Sequence, residues 1–192
     1  MRIIAGIARG TTLVAPRGDA RPTSDRVREA VFSSLGERVI GATVLDLFAG
    51  SGALGLEAAS RGASAVTFVE NARASLDAIE RNLESFRRNR GVECEFRVLR
   101  GEVFAQLGKL TPVSLVFADP PYGATAQRLL DDPKLAALLA ADGLLVLESA
   151  KRDPFAPGSA WSVKREAIYG DTRVNFLTRT GSSTPTSPAP GC

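Results

Sequence analysis

The sequence predicts an α/β fold, a Rossmann-like, doubly wound and mainly parallel sheet with an antiparallel strand near its C-terminal end. Three features carry that expectation. Short apolar runs alternate with amphipathic segments along most of the 192 residues. A glycine-rich stretch with Gly50, Gly52 and Gly55 lies between a strand-like and a helix-like segment, the setting that G-x-G-x-x-G needs to serve a ligand. A second apolar run, Val113 to Ala118, stops at Asp119-Pro120-Pro121-Tyr122, because consecutive prolines have no N–H to give a ladder.

Taken in order, Arg2–Val14 carries apolar pairs on either side of Ala8-Arg9-Gly10, and reads as a β-hairpin. Pro16–Pro22 is a loop, and Thr23, Ser24 and Asp25 offer N-caps for a helix to Leu35 with Val27, Ala30, Val31 and Leu35 on one face. Residues 1–40 are thus expected to form a basic arm, a hairpin followed by a helix. Residues 41–180 form the main domain. Thr43–Leu47 is its first strand and Ala53–Arg61 its first helix, ended by Gly62. Ala65–Glu70 is a strand, and Asn71 caps a helix over Ala72–Arg88. Val92–Val98 alternates apolar and charged residues with strand period. A short helix, Glu102–Leu107, leads to the Val113 strand. Ala126–Ala140 is helical and bent at Pro133; Leu144–Glu148 is a strand; Ser162–Tyr169 and Thr172–Thr178 form a closing antiparallel pair. Gly181–Cys192 has no charge and little apolar content, so it is expected to be a disordered tail.

Composition narrows the chemistry. The chain has no histidine, which removes His-based triads and His-containing zinc sites. Its two cysteines, Cys94 and Cys192, suggest neither a disulfide framework nor a metal centre. No apolar run approaches the ~18 residues of a membrane span, and Gly6 and Arg9 interrupt any signal-peptide core, so a cytoplasmic protein is expected. Six arginines (Arg2, Arg9, Arg17, Arg21, Arg26 and Arg28) face three acids within residues 1–30, which accounts for the whole net charge of +3. Guanidinium groups fit phosphates and stacked bases, so these six are the candidate nucleic-acid contacts.

The two loops suggest one reaction. A doubly wound sheet binds ligands at the carboxyl ends of its strands, at the point where strand order reverses. If the strands ending in Asp46-Leu47 and Ala118 are neighbours, both loops open into one cleft. An exocyclic amine on a nucleobase has a delocalised, weakly nucleophilic lone pair. The Asp119 carboxylate and the Pro120 carbonyl could each accept one of its N–H groups and aim that lone pair. Pro121 stiffens the loop, and Tyr122 could stack on the base. On the other side, Phe48, Ala49, Gly50, Ser51 and Gly52 form the cofactor loop. Glu70, 18 residues beyond Gly52, stands where an acid binds a ribose diol. Asp46 beside the loop disfavours a pyrophosphate and suits a cofactor with an ammonium and a sulfonium, as in S-adenosylmethionine.

Asp46-Leu47-Phe48-Ala49-Gly50-Ser51-Gly52 together with Asp119-Pro120-Pro121-Tyr122 resembles the class I amino-methyltransferases. Arg2-Ile3-Ile4-Ala5-Gly6, Arg21-Pro22-Thr23-Ser24-Asp25-Arg26-Val27-Arg28-Glu29 and Ala49–Glu57 resemble, more narrowly, the bacterial 16S ribosomal RNA guanine-N2 methyltransferase family of RsmD type. The resemblance covers Arg2 to Arg179. It implies a methyl acceptor at the N2 amine of a guanine in small-subunit rRNA, free or within an assembling particle, with S-adenosylmethionine as donor and no metal. A monomer is expected. Asn71 belongs to the implied cofactor site. Where this fold type often has an Asp or Asn at the cofactor adenine, the chain has Gly101-Glu102. Either the Glu102 side chain or its backbone N–H takes that place. Three alternatives stay open from the residues alone: adenine-N6 or cytosine-N4 methylation of DNA or RNA, a nicotinamide oxidoreductase using the same glycine pattern, and a non-catalytic RNA-binding assembly factor.

Overall fold

The computed structural model describes residues 1–16 and 25–181. Arg17, Arg21, the candidate caps Thr23 and Ser24, and the tail from Ser182 lie outside the described residues. Seven strands form one sheet: β1 (Thr43–Leu47), β2 (Ala65–Glu70), β3 (Glu95–Arg100), β4 (Val113–Ala118), β5 (Leu139–Ala150), β6 (Trp161–Tyr169) and β7 (Thr172–Arg179). Their order is β3-β2-β1-β4-β5-β7-β6. The first five are parallel to their neighbours, and β7 runs antiparallel to both β5 and β6.

The helices are α1 (Asp25–Leu35), α2 (Ala53–Ser60), α3 (Arg73–Phe86), α4 (Val103–Gln106), α5 (Thr125–Asp131) and α6 (Pro133–Ala137). They cover both faces of the sheet. Val44, Val66, Phe68, Leu115, Phe117 and Val146 pack toward α1, α2 and α3. The alternate residues Leu45, Leu47, Val69, Val116, Ala118 and Leu145 pack toward α4, α5 and α6. Burial on both faces is why the central strands read as continuous apolar runs. The chain leaves β1 toward β2 and β3 and returns to place β4 on the other side of β1, so strand order reverses between β1 and β4. Leu47 stands opposite Ala118, and the loops after these two strands leave the sheet side by side.

Several expected elements differ in detail. The N-terminal segment folds back on itself as a short hairpin: Arg2 bridges Thr12, Ile3 N–H donates to the Thr11 carbonyl, Gly10 N–H to the Ile3 carbonyl and Leu13 N–H to the Met1 carbonyl, each at 3.0 Å. Its remaining backbone groups turn to α2: Ile4 and Ala5 N–H donate to the Glu57 carboxylate at 2.7 and 3.1 Å, and Ala8 N–H donates to Ser60 Oγ at 3.0 Å. Ile3, Ala8 and Leu13 are buried in the same cluster as Val31 and Phe32. The helix expected over Ala126–Ala140 breaks in two at Asp132. That residue is extended, and its side chain accepts from Lys134 N–H with Pro133 in the first turn, so it starts α6 as an N-cap. β3 begins at Glu95, where its partner β2 begins at Ala65. β5 starts five residues earlier than expected, at Leu139, because a register shift between Val113 and Leu115 sets residues 140–143 against Ser114 alone. Asn71 does not cap α3; the N-cap is Ala72, which has no side-chain cap. The Glu70 carboxylate accepts from Asn71 and Ala72 N–H, both at 2.9 Å. Among the described residues no helix is long and apolar enough to cross a membrane.

Candidate active site

The glycine loop is held open by two acids from adjacent strands. Asp46 Oδ2 accepts Gly55 N–H at 2.9 Å, and Glu70 Oε2 accepts Gly50 N–H at 2.8 Å. Phe48 at φ 58°, Gly50 at φ 57° and Gly52 at φ 75° turn the chain sharply between β1 and α2. Of these, Phe48 carries a Cβ in the left-handed region, a strained conformation that clusters at ligand sites. The third glycine of the motif serves packing: a Cβ on Gly55 would come within 2.4 Å of the Phe68 ring. Glycine there lets α2 press onto β2.

Above the β1 and β4 tips lies a cavity of about 660 Å³, within the usual range for small-molecule sites. Asp46, Phe48, Ala49, Gly50, Ser51, Glu70, Asn71 and Glu102 line one part of it, and Asp119, Pro120, Pro121 and Tyr122 line another. Both loops therefore face one space. Gly52 and Gly101 do not line it. Gly52 sits on the packing side, where a Cβ would lie 3.1 Å from Phe68. Gly101 donates its N–H to the Glu70 carbonyl at 2.9 Å and joins β3 to the tip of β2. Glu102 accepts a side-chain hydrogen bond from Asn71, which closes the rim between the ends of β2 and β3.

Electrostatics set the two aspartates apart. Asp46 is buried, and its carboxyl is pushed up from 3.8 to about 8. Desolvation is the main cause, and the nearby Asp119 and Glu70 charges add to it against the favourable Gly55 hydrogen bond. Asp119 is half-buried, and Tyr122 is 53% exposed at the mouth. The acceptor loop is anchored from a distance. Gly123 N–H donates to Asp153 Oδ2 at 2.8 Å, and the same oxygen takes Ala150 N–H at 3.3 Å. Arg173 Nη1 donates to the Asp153 carbonyl at 3.1 Å and steadies that anchor.

Sequence reasoning missed Asp153, which lies 30 residues from the loop it holds. It also missed Phe104 and Arg128, which line the cavity. The Arg128 guanidinium lies 4.0 Å over the Phe104 ring centroid, and Phe104 meets Phe48 edge to face at 6.4 Å. Of the expected nucleic-acid contacts, Arg2, Arg9 and Arg26 are exposed and none lines the cavity. Arg28 corrects the expectation. It is fully buried, and its Nη2 donates to the Arg2 carbonyl and to Asp25 Oδ1, at 2.5 and 3.0 Å. Its guanidinium is part of the core and cannot reach a phosphate in this arrangement.

The model of a protein family described as "Conserved hypothetical protein 95" matches residues 1–178. The Escherichia coli strain K12 protein named ribosomal RNA small subunit methyltransferase D is 37% identical over 187 residues, covering 93% of this chain and 90% of that protein. The chain belongs to the RsmD-type family of small-subunit ribosomal RNA methyltransferases. Solved structures share its fold closely. The solved structure of yhhF from Escherichia coli superposes with a TM-score of 0.77 at 36% identity, covering 93% of this chain and 97% of the other. That of a hypothetical protein from Thermus thermophilus gives 0.76 at 32% identity, covering 93% and 99%. Family membership identifies the sheet as a class I methyltransferase fold.

Proposed function

We propose that this protein transfers the methyl group of S-adenosylmethionine to the exocyclic N2 amine of a guanine in 16S rRNA. One observation carries the reading: the carboxylate-held glycine loop and the Asp-Pro-Pro-Tyr loop face a single cavity across adjacent strand tips. The residues fit the donor. Asp46, Glu70 and Glu102 would surround its cationic and hydroxyl-bearing parts, with the glycine-loop backbone approaching closely. Glu70 Oε2 already accepts one N–H but keeps a lone pair for a diol. When bound, the donor supplies a sulfonium methyl that needs no further activation.

The chain's own residues then provide position. Asp119 and the Pro120 carbonyl accept the two amine hydrogens and aim the lone pair, and Tyr122 covers the base. A bond forms from the amine nitrogen to the methyl carbon as the sulfur–carbon bond breaks, leaving S-adenosylhomocysteine. The nitrogen gives up one proton, to Asp119 or water. Reaching the amine in folded RNA requires flipping the guanine out, at a cost of a few kcal/mol. The exposed Arg2, Arg9 and Arg26 would contribute phosphate contacts toward it.

The test is incubation with methyl-labelled S-adenosylmethionine and either rRNA or small-subunit particles, followed by nucleoside analysis. Label in N2-methylguanosine supports the reading. Label in N6-methyladenosine or N4-methylcytidine moves the acceptor, because the same loop serves those amines. No label in either substrate overturns the proposal.

A further inference from the structure

The cavity is lined by four carboxylates, Asp46, Glu70, Glu102 and Asp119. Such a surface suits a cationic donor but opposes the backbone of the nucleotide that must enter beside it. Arg128 is the one cationic side chain lining it among the described residues. It follows the acceptor loop closely, six residues after Tyr122, and it is exposed. One guanidinium face rests on Phe104 at 4.0 Å, which fixes its direction at a low entropy cost. No ion pair to it is found among the described residues, so its charge is not consumed by the protein.

We infer that Arg128 is a phosphate anchor for the flipped-out nucleotide, gripping its backbone at the rim while Asp119, Pro120 and Tyr122 hold its base. Base and phosphate of one nucleotide are separated only by a sugar. The anchor must therefore sit near the acceptor loop and reach the cavity, and Arg128 lines the cavity from the helix that follows that loop. This inference rests on the methyl-acceptor reading above. It differs from a cofactor role, in which Arg128 would only brace the Phe104–Phe48 wall.

The experiment compares wild type, Arg128→Ala and Arg128→Lys in the full chain. The readouts are kcat and KM for small-subunit rRNA, their salt dependence, and S-adenosylmethionine affinity by calorimetry. For Arg128→Ala, KM for RNA should rise about tenfold and the log–log salt slope should fall by about 0.7–0.9, one phosphate's share. Its affinity for S-adenosylmethionine should stay within about twofold. Arg128→Lys keeps the charge and should keep most of the slope. An alanine variant with weakened donor binding but unchanged KM and salt slope overturns the inference and assigns Arg128 to the wall. Wild type that methylates RNA, with an alanine variant indistinguishable from it, overturns this inference alone. Wild type that transfers no methyl to RNA overturns the acceptor reading as well.

Discussion

Asp46 and Asp119 show how one cavity gives two carboxylates different work. Asp119 is half-buried on the proline loop after β4, and under the proposed reaction its carboxylate accepts an amine hydrogen. Asp119→Ala should lower kcat by about 10²–10³, the usual effect of losing one preorganised polar partner. Donor affinity, measured by calorimetry, should change little. Asp119→Asn retains a carbonyl acceptor and should keep a substantial part of the rate if lone-pair orientation is the main role. An asparagine variant as inactive as alanine would assign Asp119 chiefly to proton removal. Asp46 behaves oppositely. Its carboxyl titrates at about 8 in the folded protein, against 3.8 normally. The folded state therefore holds a proton that the unfolded chain has lost between those values. Stability of the cofactor-free protein is highest below that window and falls as pH rises through it. Thermal melts across pH 4–8 should show this slope, and Asp46→Asn should flatten it. A bound cation favours the ionised form. Donor binding at pH 7 should therefore release up to about one proton, read by calorimetry in buffers of different ionisation enthalpy. No proton release would remove Asp46 from contact with the cationic end.

The acceptor loop is tied down at two points, at the end of β4, where Asp119 N–H meets the Leu47 carbonyl at 3.5 Å, and at Gly123. Asp153 fixes the second by taking the N–H groups of Gly123 and Ala150. Gln127 secures the same region from α5, exchanging hydrogen bonds with Ala156 at 2.8 and 3.0 Å. Asp153→Ala removes one acceptor from two backbone donors and frees the end of the loop that carries Tyr122. Misplacement by about 1 Å can cost on the order of 10²-fold. The loss should appear in kcat and in KM for RNA, with donor affinity unchanged because the glycine loop hangs on Asp46 and Glu70. Equal losses in donor and acceptor binding would mean that Asp153 supports the whole sheet end and not the loop. Asn82 plays the corresponding part for the glycine loop. It is fully buried on α3, its Nδ2 donates to the Ser51 and Val14 carbonyls, both at 2.9 Å, and its Oδ1 takes Val14 N–H at 2.7 Å.

At the scale of the molecule, what could be read from the sequence was whatever repeats locally. Two-face burial gave the central strands their apolar runs, and the prolines and glycines marked both loops of the site. Contacts across long separations left weaker traces. The N-terminal segment, read as a basic arm, has Ile3, Ala8 and Leu13 five residues apart, a spacing that matches neither strand nor helix period. Its attachment is to Glu57 and Ser60, more than fifty residues on. A trace existed there. All of Ala53–Ser60 is buried, and a helix apolar on every side is an interior helix, so a Glu within it needs partners. Glu57 has them: Ile4 and Ala5 N–H, Arg61 Nε at 2.7 Å and, at 3.9 Å, the buried Arg28. Glu57→Ala should therefore act on the whole protein. It strips Arg28 of its buried counter-charge and leaves two backbone donors of the first segment unpaired. The expected cost is about 3–5 kcal/mol in denaturant unfolding, as for other broken buried pairs. Because Met1 and Pro16 line the cavity, donor affinity should fall too, by loosening of the segment and not by loss of a contact. Changing Arg28→Met in the same chain removes the buried guanidinium, left with the half-exposed Asp25 alone, and should recover part of the stability, since a buried pair replaced by apolar side chains is often neutral. A Glu57→Ala chain within about 1 kcal/mol of wild type would show that the first sixteen residues are held by apolar packing alone.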